Sequence, residues 1–228
     1  MIFPTKHPVV LGTVITPAGL RRLAGRALPA DAVELRVDAL LAQKVPVEKI
    51  EAALKMRKHP VLLTLRIPAE GGHRAWTPAV RRDLFLRLMP HAEAVDIELA
   101  TARPLAPVIT EARRTGKTVI LSAHAITRPA TAAQIARWTE RFEAGPRTVL
   151  KIAGLIKSWR DLQRLCALLV NHPELNLAVM GLGPHAAQSR RVLAALGSRL
   201  VYGYLDRPAA PGQPSAAAVR EMAREVSL

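Results

Sequence analysis

Thr148-Val149-Leu150-Lys151-Ile152-Ala153-Gly154 is a β-branched and apolar run with one lysine at its centre and a glycine at its end. A run of that composition belongs in a buried strand, and an ammonium buried there is costly. Desolvation pushes such a lysine towards its neutral form, and a neutral amine in a dry, walled site is what a Schiff-base nucleophile requires. A lysine that snorkels out of an edge strand satisfies the same seven residues. The surrounding chain decides between the two.

Seven further apolar, strand-like runs lie at 9–15, 33–39, 61–67, 94–99, 118–124, 175–180 and 200–205, making eight with 148–153. The segments between them have helical periodicity and start signals: Thr131 with Gln134 as a capping box, Ser158 with Asp161 as a weaker one, and Ser215 ahead of Val219, Met222, Ala223 and Val226. Eight βα units without a composition break or linker point to an α/β fold, a single (β/α)8 TIM barrel over residues 1–228, with its site at the C-terminal strand ends. A doubly wound open sheet would need a switch-point crevice, and no place for one is visible in the sequence.

The strand period sorts the polar residues. In Val33-Glu34-Leu35-Arg36-Val37-Asp38 the apolar side chains share one face and the charged ones the other. The same parity groups Thr64 with Arg66, Asp96 with Glu98, Ser122 with His124, and Lys151 with Val149 and Ala153. Helices cover the apolar faces, so the polar faces line the barrel interior. One such strand alone would read as the solvated face of an antiparallel sheet. Five of them in a βα repeat mark a site, because charges in a barrel interior cost stability unless they pair.

Composition narrows the function classes. Half of the 228 residues are hydrophobic and only 4% aromatic, the Ala, Val, Leu and Ile material of a helix-wrapped parallel sheet. Residues 1–8 show neither a signal-peptide pattern nor a membrane span, and one cysteine excludes an internal disulfide, so a cytoplasmic protein is expected. Cys166 falls on the Leu162, Leu165, Leu169 helical stripe as a small buried hydrophobe. The net charge of +15 invites a nucleic-acid reading, but the basic residues are spread over every predicted helix with no aromatic-and-basic stacking stretch. A field that attracts small anions accounts for them as well.

Several runs carry a resemblance: Val33-Glu34-Leu35-Arg36-Val37-Asp38, Thr64-Leu65-Arg66 with Glu70-Gly71-Gly72, Asp96-Ile97-Glu98, Ser122-Ala123-His124, Leu150-Lys151-Ile152-Ala153, Met180-Gly181 with Ser189-Arg190, Gly197-Ser198, and Ala210-Pro211-Gly212-Gln213. In their order and their positions at successive strand ends, they are similar to the type I 3-dehydroquinate dehydratases over nearly the whole chain. The resemblance implies a (β/α)8 hydro-lyase of the shikimate pathway that converts 3-dehydroquinate to 3-dehydroshikimate and water by syn elimination through a lysine imine. It implies no cofactor and no metal.

By that resemblance Lys151 matches the Schiff-base lysine, whose iminium draws electrons from the adjacent carbon. Like charges at Arg36, Arg66 and Arg190 are expected to favour its neutral amine beyond the effect of burial. His124 matches the general acid and base, and Glu70 the carboxylate that positions it. Read without the family, Glu70 is a loop carboxylate ahead of two turn glycines. Arg190 matches the clamp on the substrate carboxylate, where a planar fork suits two oxygens. Glu34, Arg36 and Gln213 match groups that grip ring hydroxyls and close the pocket. Arg66 falls among the substrate-binding residues and, with Asp96 and Glu98, among the partners behind them; a structural salt-bridge network serves equally for these three.

Other signals are weak. His7, His59, His73, His91, His172 and His185 show no metal-ligand spacing, and Gly181-Leu182-Gly183 lacks the third glycine of a dinucleotide loop. That pair of glycines could cradle a phosphate, which keeps open a Schiff-base, aldolase-like barrel lyase acting on a phosphorylated sugar. Arg190 and the Ala-Pro-Gly-Gln run favour a carboxylate instead. A non-catalytic or nucleic-acid-binding relative would not be expected to keep both Lys151 and His124. The partner expected is therefore a small-molecule substrate, 3-dehydroquinate, with no nucleic acid and no membrane; self-association as a homodimer is left open. The chain departs from the family pattern at Ala123 and Ala125, which flank the histidine and loosen its packing, and at Ala209, where a serine is usual before the Ala-Pro-Gly-Gln run. The 206–214 segment, with Pro208, Pro211, Gly212 and Pro214, reads as an ordered lid.

Overall fold

Each of the eight runs becomes a strand, within limits its neighbours set. The computed structural model describes residues 8–25 and 27–226; residues 1–7, read above for targeting features and including His7, lie outside the described residues. The strands are β1 (Val9–Val14), β2 (Ala32–Arg36), β3 (Val61–Thr64), β4 (Ala94–Glu98), β5 (Thr118–Ala125), β6 (Thr148–Leu155), β7 (Leu177–Leu182) and β8 (Leu200–Tyr204). Every ladder is parallel, in the order β8-β1-β2-β3-β4-β5-β6-β7. The ring closes between β7 and β8 through isolated bonds: Arg199 N donates to Leu177 O at 2.7 Å, and Ser198 Oγ accepts Val179 N–H at 2.9 Å and lies 3.1 Å from Val179 O. This is a nearly closed (β/α)8 barrel.

The helices are α1 (Pro17–Arg21), α2 (Val37–Ala42), α3 (Val47–Lys55), α4 (Pro78–Leu88), α5 (Ala106–Arg114), α6 (Ala132–Glu140), α7 (Trp159–Asn171), α8 (Ala186–Ala195) and α9 (Ala216–Glu225). Their start signals work as the sequence predicts. Thr131 and Gln134 exchange both bonds of a capping box, Ser158 N and Oγ donate to Asp161 Oδ2, and Ser215 Oγ accepts from Ala218 N at 3.2 Å. Outward strand residues such as Leu35, Leu63, Val95, Ile97 and Ile152 pack with Ile50, Leu54, Phe85, Val108 and Leu165 from the helices into one large core. Each fully buried side chain of this kind contributes about 1.5–3 kcal/mol. Cys166 is half-buried against this core rather than fully enclosed.

The interior is divided along the barrel axis. At the N-terminal ends, Leu11, Leu62, Ala94, Ile120, Val149, Ala178 and Leu200 form a separate apolar plug. Towards the C-terminal ends the inward positions turn polar, and the register sets Thr13 beside Glu34, Arg36 beside Thr64, Thr64 beside Asp96, Glu98 beside Ser122, and Ser122 beside Lys151. Strand parity thus predicts the polar face correctly, but only for its upper half.

Strand limits required correction. The 33–39 run ends at Arg36, which turns with φ −80° and ψ 82°, and Val37 onward forms α2. Val-Asp-Ala-Leu-Leu-Ala forms a helix as readily as it alternates, and Val37 and Leu40 reach the outer core that way. Asp38 therefore leaves the strand face. Arg66 likewise lies past the end of β3, and β7 runs 177–182 rather than 175–180, taking in Gly181.

Candidate active site

The pocket at the mouth of the barrel gathers residues far apart in sequence. Glu34, Arg36, Arg66, Glu70, His124, Lys151, Arg190 and Gln213 all line it, together with Thr13, Tyr202, Ala209 and Ala210. Asp96 and Glu98 lie behind this surface, each fully buried, and so do Asp38, Thr64 and Ser122.

Lys151 projects inward from the middle of β6 and is 3% exposed. Its Nζ donates to Asp96 Oδ2 at 2.9 Å, lies 3.4 Å from Glu34 Oε1, and sits 4.1 Å from the centroid of the Tyr202 ring. The expectation of a lysine ringed by like charges is corrected here. Its nearest charged neighbours are two carboxylates, because β2 and β4 bring Glu34 and Asp96 to the barrel axis; of the arginines, Arg66 shares Asp96 Oδ2 with it, while Arg36 and Arg190 turn to other partners.

Those partners form a network. Glu34 accepts from Thr13 Oγ1 at 3.0 Å and Thr64 Oγ1 at 3.1 Å. Asp96 accepts from Ser122 Oγ at 2.6 Å and pairs with Arg66 Nη2 at 2.9 Å, while Arg66 Nη1 donates to Ser122 Oγ at 2.6 Å. Glu98 takes Ile67 N–H at 3.0 Å and Arg81 Nη2 at 2.5 Å. Burial alone would raise the Asp96 pKa, but Arg66, Lys151 and His124 outweigh it and hold the carboxyl well below its usual range. Burial would likewise lower that of Arg66, and Asp96, Glu98 and Glu34 reverse the sign.

His124 comes from the end of β5, and Glu70 from the turn after β3. His124 Nδ1 and Glu70 Oε2 are 2.7 Å apart, with both side chains largely covered. Burial, then Arg66 and Lys151, push the imidazole pKa well below its ordinary value, so the ring is neutral at neutral pH. Burial raises Glu70 to about 7, opposed by Arg66 and assisted by Glu98 and Asp96. A neutral imidazole with one nitrogen fixed by a carboxylate leaves the other able to take a proton. Ala123 and Ala125 fall on the opposite strand face from His124.

Arg190, from α8, is 3% exposed and faces the opposite wall. Its Nε donates to Tyr202 O at 3.0 Å, and its Nη1 to Gly181 O at 3.1 Å and Ala186 O at 2.7 Å. No carboxylate among the described residues pairs with it, and burial lowers its pKa to about 10. A buried cation with only carbonyl partners suits an anionic ligand. Above it, the 206–214 segment folds over the mouth: Ala209 N donates to Gln213 Oε1 at 2.7 Å, and Gln213 Nε2 to Thr13 Oγ1 at 3.3 Å. Gly212, at φ +74°, passes so close to the β7–α8 turn that a Cβ there would lie 2.2 Å from Gly183 O.

The sequence reading missed several participants. Tyr202 alternates inward with Leu200 and could have been found by parity. Arg81 gave no signal, since its burial arises from the docking of α4. Arg36 is taken by Asp38, donating Nε to Oδ1 at 2.9 Å and Nη2 to Oδ2 at 2.8 Å, and His73 Nδ1 lies 3.3 Å from Asp38 Oδ2. Among the described residues, no group of three or more His, Cys, Asp or Glu side chains is arranged to hold a metal, and no helix is long and apolar enough to cross a membrane.

Fold and site together define a (β/α)8 barrel enzyme with a polar pocket at its strand ends. The family model for type I 3-dehydroquinase matches residues 16–227, and the chain belongs to the type I 3-dehydroquinate dehydratase family, hydro-lyases of the shikimate pathway. A 3-dehydroquinate dehydratase from Methanocella arvoryzae is 35% identical over 192 residues, covering 82% of this chain and 83% of that one. One from Methanosarcina barkeri is 33% identical over 195 residues, covering 81% and 80%. Among solved structures, the 3-dehydroquinate dehydratase of Geobacillus kaustophilus superimposes with a TM-score of 0.84 at 20% identity over 96% of this chain and 91% of that one, a likeness of fold.

Proposed function

We propose that this chain dehydrates 3-dehydroquinate to 3-dehydroshikimate by syn elimination through an imine on Lys151. The observation that carries the reading is the placement of one buried lysine at the pocket floor, between the neutral His124–Glu70 pair on one wall and the unpaired Arg190 on the other. Membership of the dehydratase family supports the substrate class.

Lys151 gives up one proton, its amine adds to the C3 ketone, and the carbinolamine takes a proton back as its hydroxyl leaves as water, giving an iminium. His124 Nε2 takes a proton from C2, and the electron pair flows into the iminium to form an enamine. The enamine pushes out the C1 hydroxyl, which leaves as water with the proton from His124, and hydrolysis of the conjugated iminium frees the product and the lysine. Overall one water is lost. Arg190 binds the substrate carboxylate, and Glu34, Arg36 and Gln213 grip the ring hydroxyls. Arg66, Asp96 and Glu98 hold these groups in place. A cytoplasmic location goes with this reading and with the single cysteine.

The test is borohydride reduction of the protein with 3-dehydroquinate, followed by mapping of the added mass. An adduct on Lys151 is expected, and its loss in Lys151→Ala together with turnover. A mass on another residue, or none, sinks the covalent mechanism.

A further inference from the structure

The turn that carries Glu70 contributes no strand of its own to the barrel, yet it must hold a carboxylate against His124. Pro68–Glu70 form a single 3-10 turn, closed by Glu70 N to Ile67 O at 3.0 Å and Gly71 N to Pro68 O at 3.1 Å. Gly71 follows at φ +89°, and Gly72 packs so tightly that a Cβ would lie 1.9 Å from Arg66 O. Short-range bonds of this kind shape a turn but do not anchor it to the rest of the molecule.

The anchor comes from the start of α2. Asp38 is fully buried and binds Arg36 through both oxygens. Arg36 Nη2 then donates to Gly71 O at 3.1 Å, the residue next to Glu70. Two residues further along, His73 N donates to Asp38 Oδ2 at 3.3 Å, and the His73 ring lies at the same distance from that oxygen. One carboxylate therefore ties the C-terminal flank of the Glu70 turn, at Gly71 and His73, to the β2–α2 junction, while Glu98 Oε1 holds the N-terminal flank through Ile67 N at 3.0 Å. We propose that Asp38 is a positioning residue: through Arg36, Gly71 and His73 it fixes the turn that holds Glu70 against His124. The proposal rests on the reading above in one respect, that the Glu70–His124 pair moves the proton.

Arg36 also lines the pocket, so loss of Asp38 has two routes to activity, and a double-mutant cycle separates them. Asp38→Asn keeps the shape but removes the charge. It is expected to lower kcat on the order of tenfold, and by less than about threefold when Glu70→Gln is already present. A KM change transmitted by Arg36 should persist in both backgrounds. His73→Ala leaves the Asp38–Arg36 pair intact and serves as the second variant; it should give a smaller kcat loss that also vanishes in the Glu70→Gln background. Hydrogen–deuterium exchange of the 68–76 backbone reads the anchor without any turnover, and each variant should speed it severalfold. Equal kcat losses with and without Glu70→Gln, or unchanged exchange across the turn, overturns the proposal. A wild-type protein with no dehydratase activity would instead count against the proposed reaction, while the exchange data would still judge the anchor.

Discussion

The two walls of the barrel mouth treat buried positive charge in opposite ways. On the β2–β5 side, Arg66 lies among Asp96, Glu98 and Ser122, and Arg81 and Lys151 share the same carboxylates. On the α8 side, Arg190 is equally buried and meets only backbone carbonyls. The first wall is electrostatically complete without a ligand; the second is not. Matched charge maintains a shape, and unmatched charge waits for an anion.

The largest effect should come from breaking the matched wall. Arg66→Met leaves Asp96 and Glu98 short of a counter-ion and is expected to cost about 3–5 kcal/mol of stability, read by urea unfolding. A loss under about 1 kcal/mol would mean that the network is not self-sufficient, and the contrast would lose its basis.

Arg190→Met attacks the other wall. It strands carbonyls rather than carboxylates, so its stability cost should be clearly smaller than that of Arg66→Met. Substrate binding should suffer instead, with KM raised roughly 10- to 150-fold, the equivalent of about 1.5–3 kcal/mol for a charge-assisted bond. If Arg190→Met unfolds the protein as badly as Arg66→Met and leaves KM alone, the two walls are alike.

A third expectation concerns pH. Glu70 titrates at about 7, raised by burial. Above that value its carboxylate accepts Nδ1–H from the neutral imidazole and frees Nε2 to act as base; below it the carboxyl keeps its proton. The kcat/KM of the free enzyme should therefore fall about tenfold per unit as pH drops below about 7, and Glu70→Gln should remove that limb. A profile flat from pH 5 to 8 in the wild type would contradict it.

The smallest effect lies in the lid. Ala209→Ser supplies the substrate with one more hydrogen bond on closure, about 0.5–1.5 kcal/mol, so KM should drop severalfold with the rate of imine formation unchanged. Gln213→Ala should raise KM by more. If neither variant moves KM, another segment closes the pocket.

Much of this was legible in the chain because strand parity is a strong constraint. Glu34, Asp96, Ser122, His124 and Lys151 could be placed inward from alternation alone, and eight runs with helices between them leave few folds open. Boundaries were weaker. The 33–39 run has a helical reading of equal quality, so Asp38 could not be separated from the strand until tertiary packing chose α2. Pairings were weakest of all. Lys151 could be seen as buried, but whether arginines or carboxylates would surround it depends on stagger between strands far apart in sequence, and local pattern carries no trace of that. Arg81 shows the same limit, an ordinary helix residue until α4 docks beside Glu98.

The join between β7 and β8 gives the barrel a mechanical asymmetry. Seven seams are ladders, and each resists separation with a row of amides; the eighth is a clasp, fastened towards the N-terminal strand ends by Arg199 N and one serine hydroxyl. Arg190 and the Gly212 crossing sit directly over that clasp. At the mouth itself no ladder joins the two strands, and the Arg190 guanidinium staples them by donating to Tyr202 O of β8 and Gly181 O of β7, so the one buried cation without a carboxylate partner among the described residues is also the cross-link of the barrel's open seam.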